Sequence, residues 1–214
     1  MTAQTKALPR IRAPQERALL KRELLLDAAA ELLGEESLEN ISLADISARA
    51  GIPVGSTYHH FANTGALFAA LAARFAEELD DYLSQPYCGD ESINWQSIVR
   101  TAVDRATQLY SERADYRQLI LGGKAPTEIK LSDRENDEAV GQIIIDAIGQ
   151  HFEIPDFPRR NEIFFYAVEI ADLLLMLSQM RNGKITTDMR REAQLAMVTY
   201  LRAYLPEQLP RKST

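Results

Sequence analysis

From Glu16 to Leu205 the apolar residues of this chain recur three and four positions apart, and no sustained apolar–polar alternation rich in β-branched residues interrupts them. A helix gathers positions i, i+3, i+4 and i+7 on one face, whereas a strand needs period two, so the spacing points to an all-α fold. With 46% hydrophobic and 26% charged residues among 214, the chain can bury one large core or two smaller ones. Cys88 is the single cysteine, and no Cys/His cluster has zinc-ligand spacing, so neither a disulfide nor a structural metal is expected, no cofactor motif stands out, and a reducing cytoplasm fits. The basic start lacks the apolar core of a signal peptide, and no segment approaches about 18 uncharged apolar residues, so neither export nor a membrane partner is expected.

The spacing predicts a first helix from about Pro14 to Glu36, with Leu20, Leu24, Leu25, Ala28, Ala29, Leu32 and Leu33 as one buried stripe. Ser42 with Asp45 makes an S-x-x-D capping signal for a short helix over residues 43–50. Gly51 suits the left-handed residue that ends it, and Pro53 can open a second short helix to about residue 60. Asn63 or Thr64 should cap a long helix to about Gln85. Helices are expected from Trp95 to Gly122, broken near Arg113–Asp115, then from Ser132 to His151 and from Pro158 to Asn182, and finally from a cap at Thr187 or Asp188 to Leu205.

Two short helices joined at a glycine are the geometry that sets a second helix in the DNA major groove while the first braces it. Gly55 and Ser56 are small enough for close backbone approach to phosphate, and Ser56, Thr57, Tyr58, His59 and His60 carry polar tips suited to phosphates or base edges, with Phe61 packing inward. Charge is distributed to match. Lys6, Arg10, Arg12, Arg17, Lys21 and Arg22 face Glu16 alone in the first 22 residues, so a +5 start precedes a body of −12 within a total of −7. The same arm also reads as an ordinary solvated terminus. The His59–His60 pair is a poor metal site, because adjacent helical residues point about 100° apart.

The stretch from Ser42 to Leu67, SLADISARAGIPVGSTYHHFANTGAL, resembles the N-terminal pattern of the tetracycline-repressor (TetR) family over roughly residues 17–75. The resemblance implies that Ser42, Pro53, Val54, Gly55, Ser56, Thr57, Tyr58, His59 and His60 meet operator DNA, and that Leu43, Ile46, Ala50, Ile52 and Phe61 form a small core. Thr64 and Gly65 stand where the family usually has Lys and Glu. One phosphate contact is thereby in doubt at Thr64, whose absence would lower the log–log salt slope by about 0.9. Ser47 stands where Ala is usual.

The resemblance divides the chain into a basic arm (1–16), a helix-turn-helix domain (17–78) and a helical ligand-binding and dimerisation domain (79–214). It also implies a homodimer formed through the last two long helices, an unidentified small-molecule effector, and repression that the effector relieves. Beyond residue 80 the residues themselves must speak. The helix from Pro158 to Asn182 is apolar around most of its circumference, as a helix buried against both its own core and a partner would be. Leu195, Met197, Val198, Leu201 and Leu205 extend that surface on the last helix. Trp95, Tyr110, Tyr116, Phe164, Phe165, Tyr166 and Met176 are candidate pocket-lining groups, each also readable as ordinary core. Glu169 and Asp172, at i and i+3 in the apolar helix, read either as a cation-binding pair or as a solvated edge or intersubunit ion pair. A helical scaffold with a vestigial helix-turn-helix is the other reading of the chain. No Gly-rich phosphate loop or nucleophile motif suggests an enzyme.

Overall fold

The computed structural model describes residues 12–87, 93–122 and 126–212, so Cys88 and the arm residues Lys6 and Arg10 lie outside it. Nine α-helices occur among these residues: α1 Arg12–Glu35, α2 Leu43–Arg49, α3 Val54–Thr57, α4 Thr64–Leu83, α5 Trp95–Glu112, α6 Ala114–Ile120, α7 Thr127–His151, α8 Arg160–Asn182 and α9 Thr187–Leu201. A single 3-10 turn, Leu38–Asn40, follows α1. No strand forms among the described residues, and one antiparallel bridge pairs Phe152 with Arg211.

Local chemistry sets the helix ends. Ser42 Oγ accepts from the Asp45 N–H (3.2 Å) while the Asp45 carboxylate accepts from the Ser42 N–H (2.9 Å), a complete capping box that starts α2. Gly51 then takes φ +66°, which an L side chain adopts at a cost, and turns the chain into α3. Asn63 caps α4 through Ala66 N–H (2.8 Å), and Asn94 and Ser97 form a second capping box on α5. Arg113 is extended and separates α5 from α6, where the sequence suggested a break. Gly183 at φ +66° closes α8.

Several expectations need correction. α3 has one turn rather than two, because residues 58–60 close as turns that run into the Asn63 cap. α7 begins at Thr127, with Pro126 in the N-cap position, five residues before the expected Ser132. α9 is capped by Thr186 and ends at Leu201, its last turns unwinding before Leu205. The α1 stripe starts at Leu25: Leu20 is 62% exposed and Leu24 43%, since the N-terminal turns of α1 run past the helices that cover its other end.

Layering follows from these faces. α1, α2, α3 and the start of α4 enclose Leu25, Leu26, Ile46, Phe61 and Leu67. In the larger part α8 packs against α7 and α9, α5 against α9, and α4 runs on to pack against α7. α6 lies across α1, and Gln118 Nε2 donates to the Leu33 and Glu36 carbonyls at 2.7 and 2.6 Å. Those carbonyls are among the groups that a helix C-terminus leaves without partners. The two parts therefore meet through one continuous helix, α4, and through α6 on α1.

Candidate functional site

The helix-turn-helix is held by contacts that leave one of its surfaces free. Arg49 of α2 forks onto Glu35 at 2.7 and 3.1 Å, and these hydrogen bonds hold the Glu35 carboxyl below its ordinary range. Arg74 of α4 reaches back to Asp27 (2.7 Å) and Glu23 (3.3 Å) on α1. Inside, Ser47 Oγ lies 2.6 Å from the Leu43 carbonyl and 2.8 Å from Thr57 Oγ1, a buried hydroxyl pair that ties α2 to α3. Burying hydroxyls is tolerable only because each meets a partner.

That pair settles the orientation of α3. Thr57 is fully buried, so it positions the helix and offers no surface to a partner, contrary to the sequence expectation. With Thr57 inward, Pro53, Val54, Gly55, Tyr58 and His59 are exposed, and Ser56, His60 and Thr64 half-buried, on the outer side. Tyr58 is 57% exposed and belongs to no core. Ser42 is exposed, but its hydroxyl is committed to Asp45. Phe61 is buried as expected, with the Arg22 guanidinium 5.6 Å above its ring.

The second constellation lies in the larger part. A cavity of about 200 Å³ is bordered by Ile120 and Leu121 at the end of α6, by Lys130, Asp133, Arg134 and Asp137 of α7, and by Glu169, Asp172, Leu173 and Met176 of α8. Asp137 and Asp172 also border an apolar cavity of about 30 Å³ beneath it, with Tyr110 on its wall. One carboxylate oxygen from each of Asp133, Asp137 and Asp172 lies within 4.8 Å of the other two. Glu169 Oε1 is buried and 3.3 Å from Arg134 Nε, an ion-pair contact without hydrogen-bond geometry.

Burial and mutual repulsion shift Asp133, Asp137 and Asp172 the same way. Burial pushes Asp133 up to about 7, with the Glu169 charge adding to it. Burial, followed by the charges of Asp172 and Asp133, pushes Asp137 up to about 10, and burial lifts Asp172 well above the carboxylate range. Near neutral pH the chamber therefore retains protons unless some other positive charge replaces them.

The pocket candidates part company. Tyr110, Glu169 and Asp172 line the chamber or its floor. Tyr116 is core, packed between Phe75 (4.6 Å) and Tyr110 (5.0 Å). Trp95 is buried far from the chamber, donating its indole N–H to the Pro206 carbonyl at 2.9 Å beside a polar groove of about 420 Å³. Phe165 sits half-buried beside Tyr166. Asp133 and Asp137 escaped the sequence reading, although an acidic i, i+4 pair on the inward face of a helix was the available signal.

Comparison with known proteins decides the kinship of this arrangement. A family model described as bacterial regulatory proteins, tetR family, matches residues 25–71, the segment that builds the helix-turn-helix. The helix-turn-helix segment matches that family. Among curated proteins, the tetracycline repressor protein class D of Escherichia coli is 36% identical over 83 residues, 39% of this chain and 36% of the repressor. The chain thus spans about a third of the length of the curated repressors it matches. Solved structures resemble it over nearly all their length at lower identity. A TetR-family regulator from Streptomyces coelicolor superposes with a TM-score of 0.70 and 22% identity, covering 88% of this chain and 99% of that one. SmeT, the repressor of the Stenotrophomonas maltophilia multidrug efflux pump SmeDEF, gives 0.62 and 21%, covering 87% and 91%. These likenesses establish the tetR-type fold for the helical body as well as for the helix-turn-helix.

Within that family pattern, Ser47 in place of the usual Ala has a local rationale, because its hydroxyl partners Thr57. Thr64 and Gly65 open α4, where the Asn63 side chain accepts one of the orphan N–H groups.

Proposed function

We propose that the chain is a DNA-binding transcriptional regulator, a repressor released from its operator by a small-molecule ligand. The observation that carries this is the outer surface of α3 and its following turn. Pro53, Val54, Gly55, Tyr58 and His59 stand exposed together on a helix locked from behind by the Ser47–Thr57 pair. Residues 17–78 are read as the DNA-binding part and 79–214 as the ligand-binding and dimerisation part, with Ser42, Ser56, His60 and Thr64 at the edges of the contact surface. Ser42 would meet a phosphate through its outward edge, since its hydroxyl caps α2. The free donors opening α4 stand in for the missing lysine, because a helix N-terminus receives a phosphate through its N–H groups and dipole.

A homodimer fits the far side of the molecule. Tyr166, Leu173 and Met180 on α8 and Leu195 on α9 are exposed large apolar side chains, with Leu173 at 50%. α8 is long and apolar enough to cross a membrane by composition, but its buried residues pack on α7 and α9, and pairing with a second α8–α9 face accounts for the rest. Two copies would then read half-sites about 34 Å apart or a multiple of that spacing. Such a regulator works in the cytoplasm and has no catalytic role.

Release follows from the position of α6. Its Ile120 and Leu121 border the chamber, while its Gln118 holds the end of α1, so a ligand that moves α6 moves the helix on which the reader is built. The ligand lowers operator affinity by the ratio of its affinities for the two positions. SmeT, which shares the fold, has been solved with triclosan. Tyr58→Ala tests the reading. It should change stability by less than about 0.5 kcal/mol, as for an exposed surface site, while competitor-resistant DNA binding falls at least about tenfold. Unchanged binding would remove α3 from the interface.

A further inference from the structure

We infer that the chamber between α7 and α8 binds one divalent metal cation through Asp133, Asp137 and Asp172. Their carboxylate oxygens converge within 4.8 Å of one another. Ligands on opposite sides of a single ion with bonds of about 2.0–2.6 Å stand about 4–5 Å apart, so one sphere accommodates all three. Helix geometry supplies the convergence. Asp133 and Asp137, four residues apart, project from one face of α7, and Asp172 meets them from α8.

A second observation is independent of the convergence. Asp137 is only 5% exposed and borders both cavities, yet among the described residues no N–H donates to it, and the group closest to hydrogen bonding is another carboxyl, Glu169. Buried carboxylates ordinarily meet a cation, a donor or a metal. Arg134 is engaged with Glu169, and Lys130 is the other cation on the rim, so the four carboxyls outnumber the cations that line the chamber. An oxygen-only donor set selects hard ions such as Mg²⁺, Mn²⁺ or Ca²⁺ over Zn²⁺ or Cu²⁺. The cavity of about 200 Å³ leaves space for the water ligands that such ions keep.

Bound there, the ion joins α7 to α8 beneath the end of α6. Its binding is measured on the free protein and does not depend on the chain's affinity for DNA. The experiment is titration of the chelator-treated full chain with Mn²⁺, read by the electron paramagnetic resonance of the free ion and by the shift in melting temperature. The expected result is one Mn²⁺ per chain, with a Kd between about 10⁻⁵ and 10⁻³ M, displaced by Mg²⁺ or Ca²⁺. Asp137→Asn and Asp172→Asn should each weaken binding by more than about tenfold, as removal of a metal ligand does. Both replace a buried acid by its uncharged isostere, so both should fold, and exposed Glu138→Gln on the same helix should bind as the parent does. Absence of saturable Mn²⁺ binding overturns the inference. So does unchanged binding in both variants, which places the ion elsewhere, or stabilisation by tetraethylammonium in place of Mn²⁺, which makes the chamber a site for organic cations.

Discussion

Asp137→Asn should flatten the pH dependence of unfolding, and the expected slope follows from the chamber's geometry. Burial, with Asp172 and Asp133 alongside, pushes the Asp137 carboxyl up to about 10, whereas an aspartate in an unfolded chain titrates near about 3.9. Between about pH 6 and pH 8 the folded protein therefore keeps a proton here that the unfolded chain has released. The pKa is raised on folding, so stability is greatest at low pH and is lost as pH rises. Each retained proton costs about 1.4 kcal/mol per pH unit, hence about 2.7 kcal/mol across that window. Asp133, pushed up to about 7, adds in the same sense at the lower end and fades above it, and Asp172, raised by burial, acts in the same sense. Asparagine keeps the shape, binds no proton and relieves its neighbours, so the variant's slope should be shallower by at least about 1.4 kcal/mol per unit. Urea unfolding at fixed protein concentration, with chelator, at three pH values gives the two slopes. Parallel slopes would mean that Asp137 is already ionised in the folded protein, and the reasoning from burial would fall with it.

Two further outcomes are expected. Thr57→Val should cost about 1 kcal/mol in denaturant unfolding, the usual worth of a hydrogen bond in a pair that is otherwise satisfied, and should weaken DNA binding by misplacing α3. No loss of stability would mean that the Ser47 hydrogen bond carries no weight. Removing residues 1–13 should weaken binding to specific and random duplexes alike and reduce the salt slope by about 0.9 for each phosphate that the arm had neutralised, as read from titrations at two salt concentrations, whereas an unchanged slope leaves the arm without a DNA role.

How much could be read beforehand depended on whether the deciding contacts were local. The capping box at Ser42–Asp45, the left-handed Gly51, the Asn63 cap and the break at Arg113 are written within a few neighbouring residues, and all were legible. The inward turn of Thr57 was not, because it depends on Ser47 ten residues earlier. Leu20 and Leu24 fit the periodicity of α1 yet lie beyond the reach of the helices that bury its other end, a matter of length rather than pattern. Of the chamber, Glu169 and Asp172 stood out as charges in an apolar helix. Asp133 and Asp137 did not, since α7 is rich in charge along its first half and only packing against α8 selects the pair that faces inward. Trp95 looked like a pocket wall because its anchor, the Pro206 carbonyl, is 111 residues away.

The most direct test of the central claim is a fluorescence-anisotropy titration of the full chain on duplexes tiling the region upstream of its own gene, with excess unrelated DNA present. Competitor-resistant binding to one inverted-repeat fragment, weakened by Tyr58→Ala, is the predicted result. Selection from random duplex that still recovers no preferred sequence would contradict it.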